Sequence, residues 1–205
     1  MNAFTQRGEI EGPAGVLAVA VDSHTDVPQR GVAVLCHPHP VHGGTMDNKV
    51  VQTVARALVQ RGWRTVRFNF RGVGTSGGAW DEGRGEVDDA LAVIAAHRVL
   101  GEPLILGGFS FGAYVAASAA ARLASADAPH GLVLVGPATS NFKVPPVPPQ
   151  TLVIHGEADE VVPLSATLEW ARPQVLPVVV VPGVGHFFHG QLNVLKSLVL
   201  RHFAE

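Results

Sequence analysis

Two stretches of this 205-residue chain place a serine with a glycine two positions away on each side, Gly74-Thr75-Ser76-Gly77-Gly78 and Gly108-Phe109-Ser110-Phe111-Gly112. A serine hydroxyl is a weak nucleophile until a base takes its proton. It also needs a backbone that holds it out toward a substrate. The sharp turn from a strand into a helix does this, and it requires small residues at those two flanking positions so that strand and helix can approach closely. Ser110 meets the requirement, because it follows the apolar run Pro103 to Phe109 without a spacer and opens the alanine-rich stretch from Phe111. Ser76 lies several residues beyond its strand, in a glycine loop where no helix begins. Ser110 is therefore the expected nucleophile, with a plain helix N-cap as its bland alternative, and Ser76 is expected to be a loop residue.

The base must be fixed in one tautomer by an acceptor that also stabilises the imidazolium. A serine on such a turn is followed along the chain by an acid and then a histidine, each on a loop after a later strand. Asp159 stands just after Thr151 to His155, and His186 just after the valine run that ends at Val181. Among ten histidines one match is cheap. Serine, acid and histidine at three successive strand ends in the right order are much less so. Glu157 and Glu160 are the nearest rivals to Asp159 and read as solvated loop charges.

A tetrahedral intermediate needs two N–H donors for its oxyanion. The Phe111 amide, at the start of a helix whose dipole favours negative charge, is the first candidate. The second must come from the loop Cys36 to Gly44, in which Pro38 and Pro40 carry no N–H, so His39 is the best single choice. The same loop offers a competing chemistry, since His37, His39 and His42, with His155 and His189, are metal-ligand types. Prolines stiffen the loop and no carboxylate or thiol completes a familiar ligand set. No metal and no cofactor are expected, and His37 and His42 are read as shaping the loop by hydrogen bonding.

Elements that could position these groups alternate regularly. Apolar runs predict strands at Gly15 to Val21, the first part of an antiparallel hairpin, and at Gly31–Cys36, Trp63 to Phe70, Pro103 to Phe109, Gly131–Val135, Thr151 to His155 and Val175 to Val181. Helical spacing predicts helices over Asn48 to Arg61, Glu86 to Leu100, Phe111 to Ala126, Pro163 to Ala171 and Phe187 to Phe203. Strand and helix in alternation imply a mostly parallel sheet with right-handed crossovers and helices on both faces, whose ligands sit beyond the C-terminal strand ends.

Composition narrows the class. Hydrophobic residues make up 47% and charged residues 16%, so much of the chain must be buried. The length suits one domain over residues 1–205. A formal net charge of −2 leaves no basic excess for nucleic acid. No apolar run approaches the roughly 18 residues that span a bilayer, the N-terminal stretch lacks the apolar core of a signal peptide, and the single cysteine, Cys36, permits no internal disulfide. A cytoplasmic protein without nucleic-acid or membrane partners is expected.

The segments His37 to Val51, Phe68 to Gly78, Gly107 to Ala116, His155 to Pro163 and Pro182 to Phe188 together resemble the α/β-hydrolase superfamily, over nearly the whole chain. They are similar in particular to small bacterial hydrolases, carboxylesterase-like and related to dienelactone hydrolases. The resemblance implies an α/β-hydrolase fold with an eight-stranded, mostly parallel sheet, its second strand antiparallel, and a Ser110, Asp159, His186 triad without metal. Dienelactone hydrolases proper carry a cysteine where this chain has Ser110, so their substrate does not carry over. Between the sixth and seventh strands only Gly136 to Gln150 intervenes, too short for a cap domain. The site should be open, lined by Phe109, Phe142, Phe187, Phe188, Val41 and His42, with core packing the alternative for the phenylalanines. The expected function is hydrolysis of carboxylic esters of small soluble molecules through an acyl-enzyme. The alternatives are another acyl bond, such as a thioester or activated amide, and a non-catalytic binding module.

Overall fold

The computed structural model describes residues 3–24 and 26–204. Strands β1 (Ala3–Gly12) and β2 (Gly15–His24) form an antiparallel hairpin, and β3 (Gly31–Cys36), β4 (Trp63–Phe68), β5 (Leu104–Phe109), β6 (Gly131–Val135), β7 (Leu152–Gly156) and β8 (Val178–Val181) follow. Helices α1 (Lys49–Gln60), α2 (Arg84–His97), α3 (Phe111–Arg122), α4 (Leu164–Ala171) and α5 (Leu192–His202) alternate with them. The sheet runs β1-β2-β4-β3-β5-β6-β7-β8. β2 is antiparallel to both its neighbours and every later pair is parallel, which is the expected α/β-hydrolase architecture.

The central strands are apolar on both faces because each face has its own core. Val32, Val34, Leu104, Leu106, Leu132 and Leu134 pack into one core with residues of α2 and α3, while the intervening Ala33, Leu35, Ile105, Val133 and Val135 pack into another with α1 and α5. This period-2 division is what a sheet covered on both sides requires. Asn48 starts α1 by accepting hydrogen bonds from the Val50 and Val51 amides at 2.9 and 3.4 Å, and Gly62 follows its end at φ +84°.

Several expected boundaries shift for local reasons. β4 stops at Phe68 because the Phe70 amide leaves the ladder to donate to His37 Nε2 at 3.1 Å. β8 begins at Val178, after Val175 at φ +52° and Pro177, which has no amide hydrogen. The last helix begins at Leu192 rather than Phe187, since Phe188 (φ +53°) and Gly190 (φ +74°) hold left-handed conformations that interrupt a helix. α2 starts two residues earlier than expected and ends three earlier, at His97, and α3 ends at Arg122.

Residues 136–150 form an extended crossing rather than a cap. Val144 is buried, its carbonyl accepts from Trp170 Nε1 at 3.0 Å, and the Val147 amide donates to Gln174 Oε1 at 2.9 Å. Among the described residues, no helix is long and apolar enough to cross a membrane.

Candidate active site

Ser110 sits at the junction of β5 and α3 with φ +57° and ψ −118°, a conformation that costs an L-residue energy and persists only where the surroundings enforce it. The two flanking glycines explain how they do so. A Cβ on Gly108 would overlap the Gly112 carbonyl, and one on Gly112 would overlap the carbonyl oxygens of Cys36 and His37. The Ser110 amide donates to Val135 O at 2.9 Å and its carbonyl accepts from Ala138 at 3.3 Å, which ties the turn to the end of β6.

His186 and Asp159 meet across the ends of β7 and β8. The His186 Nδ1–H donates to Asp159 Oδ2 at 2.6 Å, and the other carboxylate oxygen accepts the Val161 and Val162 amides at 2.9 and 2.8 Å. Burial pushes the Asp159 carboxyl up, but the bonds from His186 and the two amides outweigh it and hold the group below the usual carboxylate range. The two loops are stitched together, with the Ala158 amide donating to Val184 O at 3.0 Å and the Gly183 amide to Glu157 Oε2 at 2.9 Å. That bond accounts for Glu157, and Glu160 is exposed, so of the three neighbouring acids only Asp159 faces the histidine.

The serine and the histidine share their neighbours. The Phe109 ring, next to Ser110, lies 4.8 Å from the His186 ring between centroids. Gly136, at φ +49°, follows β6, and a Cβ there would stand 3.3 Å from His186 Cε1 and 3.6 Å from Asp159 Oδ2. Two residues on, Ala138 bonds to Ser110. Three successive strand ends thus converge at one point, with glycine where the backbone passes the acid and histidine.

The loop after β3 is built around His37. Its Nε2 accepts from the Phe70 amide, so its proton is on Nδ1, which donates to Pro38 O at 2.6 Å. Burial lowers its pKa to about 4, against the smaller pull of the Pro38 carbonyl, and the ring stays neutral. The His39 carbonyl accepts from His42 and Gly44, which curls Pro40–His42 into one 3₁₀ turn. Among the described residues neither the Phe111 nor the His39 amide has a protein acceptor, and Gly112 lets the start of α3 lie against Cys36 and His37. Both are thus available to an anion. Among the described residues, no group of three or more His, Cys, Asp and Glu is arranged to hold a metal ion.

Two expected lining residues belong to the core instead. Phe109 is 1% exposed behind His186, and Phe188 is fully buried in the core shared with α1 and α5, because its left-handed backbone turns the ring inward. Phe187, at 45%, and Val41, at 64%, are open to solvent, as is His42, while Phe142 is half-buried. Trp80, which sequence reasoning passed over, joins them: its ring lies 4.6 Å from His39 and 5.1 Å from Phe111, and His39 lies 6.1 Å from Phe142. The glycines before Trp80 gave no pattern from which to place it. Beyond His186, a cleft of about 450 Å³ is lined by Glu160, Val161, Phe187, His189 and Gln191.

Ser76, the rival serine, is buried and structural. Its Oγ accepts from the Ala18 amide at 3.0 Å and donates to Asn69 O at 2.9 Å. Arg71 likewise shapes its loop, bonded through its backbone and guanidinium to the buried Asp89.

A family model described as serine aminopeptidase, S33, matches residues 38–150. An α/β serine hydrolase without a lid from Xanthomonas campestris is 41% identical, with a TM-score of 0.89 over 100% of this chain and 95% of the other. An α/β serine hydrolase homologue from Coxiella burnetii is 38% identical, with a TM-score of 0.82 over 98% and 99%. An uncharacterised protein of Rickettsia prowazekii is 34% identical over 143 residues, 66% of this chain, and the match spans 59% of that relative's length.

Proposed function

The chain belongs to the serine aminopeptidase S33 family of α/β serine hydrolases, and we propose that it cleaves carboxylic esters of small soluble molecules, with Ser110 as nucleophile, His186 as general base and Asp159 orienting the histidine. The observation that carries this reading is the strained Ser110 turn lying at the same sheet end as the 2.6 Å His186–Asp159 bond.

Because Nδ1 is committed to Asp159, the lone pair of His186 is on Nε2. Nε2 takes the Ser110 proton as Oγ attacks the ester carbonyl. Negative charge gathers on the carbonyl oxygen, where the Phe111 and His39 amides would hold it, each donor of this kind contributing about 3 to 4 kcal/mol. The intermediate collapses as the imidazolium returns its proton to the departing alkoxide, which leaves an acyl group on Ser110. Water then repeats the sequence and frees the acid.

A second reading is favoured by the family description and by Glu160 on the wall of the cleft beyond His186, where a carboxylate could meet a free α-amine. The two are separated by kcat/KM on matched substrates: p-nitrophenyl acetate, the corresponding thioester and amino-acid p-nitroanilides, each with wild type and Ser110→Ala. The ester reading expects the acetate ester to lead and Ser110→Ala to abolish turnover. Preference for the anilides would favour the aminopeptidase, and turnover by Ser110→Ala would overturn both.

A further inference from the structure

Asp159 has a second histidine against it. His155, the fourth residue of β7, is fully buried, and its Nε2 lies 2.9 Å from Val162 O and 3.4 Å from Asp159 Oδ2. Both neighbours of that nitrogen are acceptors, so it carries the proton. Its Nδ1 is equally buried and, among the described residues, has no partner, which fits a lone pair and not a second N–H. His155 is thus a neutral donor held from beneath the turn 159–162. The turn is held at both ends: Asp159 Oδ1 accepts the Val161 and Val162 amides, and Val162 O accepts the His155 Nε2–H, which lies 3.4 Å from Asp159 Oδ2.

Resting on the triad reading above, we propose that His155 is a positioning residue for catalysis: its Nε2–H, bonded to Val162 O, fixes the turn whose Val162 amide holds the Asp159 carboxylate, and the same N–H edge stands 3.4 Å from the oxygen that His186 uses. Oδ2 then stands between two imidazoles, one charge-neutral throughout the cycle and one that gains and loses a proton. The titratable groups facing His155 are Asp159 and His186, and burial keeps His155 from competing for the proton, its pKa being lowered despite the Val162 carbonyl and Asp159. An aliphatic residue like its strand neighbours Val153 and Ile154 would leave Val162 O without this donor and Oδ2 without an N–H edge beside it.

The test compares His155→Leu and His155→Gln with wild type, with Ser110→Ala as control. Leu removes the donor, whereas Gln carries an N–H of similar reach. With Leu, kcat should fall by about tenfold or more at unchanged KM, since a slightly misplaced orienting group carries penalties of that order. The acid limb of the kcat profile should move to higher pH, because a carboxylate that has lost the N–H dipole 3.4 Å from Oδ2 keeps more charge beside His186 and favours the imidazolium. Gln should restore both. A merely structural role would lower thermal stability and leave kcat and the profile of the folded protein unmoved, and that result overturns the proposal. Should Leu fail to fold, ¹⁵N spectroscopy of wild type and Asp159→Asn decides: a His155 Nε2–H resonance that moves on the substitution supports the assignment, and one that does not move, or a proton on Nδ1, overturns it. Loss of activity in Ser110→Ala with a wild-type His155→Leu sinks this proposal alone, whereas an active Ser110→Ala removes the triad reading and this proposal with it.

Discussion

Oδ2 of Asp159 lies 2.6 Å from Nδ1 of His186, while its sister oxygen is held by two backbone amides. The carboxylate therefore cannot turn away, and a neutral amide in its place would present a donor or a weaker acceptor to the imidazole. Asp159→Asn should fold normally and lose roughly 10³ to 10⁴ in kcat through the wrong histidine tautomer. Glu157→Gln, which alters only an exposed bond to Gly183, should stay within about twofold of wild type by the usual weakness of exposed charges. Steady-state kinetics on both variants, with circular dichroism to check folding, decides whether the acid is correctly assigned.

His37 links the loop after β3 to acid stability. Its pKa is about 4 when folded, below the ordinary 6.5, so between these values the unfolded chain binds more protons than the folded one. The stability it contributes is complete above about pH 6.5 and is lost as pH falls toward 4, by about 3 kcal/mol in all. His155 acts with the same sign. Urea unfolding at pH 7, 5 and 4 should show this decline, and His37→Asn, though weaker at pH 7, should show a flatter one. Equal slopes in the two proteins would mean that His37 does not titrate on unfolding.

Asp89 is fully buried and accepts four hydrogen bonds from Arg71, three at 2.7 to 3.1 Å from the guanidinium and one at 2.9 Å from the backbone. Removing it strands a buried guanidinium. Asp89→Ala should lose about 3 to 5 kcal/mol in denaturant unfolding, whereas a loss below about 1 kcal/mol would show that Arg71 finds water or another acceptor.

The crossing at residues 136–150 bears on substrate size. Its anchoring to Trp170 and Gln174 leaves no free segment to close over Ser110. A long acyl chain gains about 0.8 kcal/mol per methylene only where a groove buries it, and an uncapped site offers little. In a p-nitrophenyl ester series from acetyl to palmitoyl, kcat/KM should peak at short chains and show no jump when substrate forms micelles. A maximum at long chains would require the crossing to move.

Much of this was legible beforehand because the signals were local. The strand Gly31–Cys36 and the strand Gly131–Val135 have the bounds their apolar runs predicted, and the Ser110 turn followed from two glycines and a strand without a spacer. What the sequence hid depends on tertiary direction. A phenylalanine beside His186 reads the same whether its ring faces the cleft, as Phe187 does, or the core, as Phe188 does, and the difference lies in one backbone angle. Gly136 and Trp80 sit in no motif, and in the sequence His155 reads only as a metal-ligand type.

The central claim is that Ser110 is an activated nucleophile, and covalent labelling tests it most directly. A fluorophosphonate probe reacts readily only with a serine that has a base and an oxyanion site beside it. After labelling of the native protein and peptide mapping by mass spectrometry, the account predicts one adduct, on Ser110, abolished in Ser110→Ala and strongly slowed in His186→Ala. An adduct on Ser76, or labelling that persists without Ser110, would contradict it.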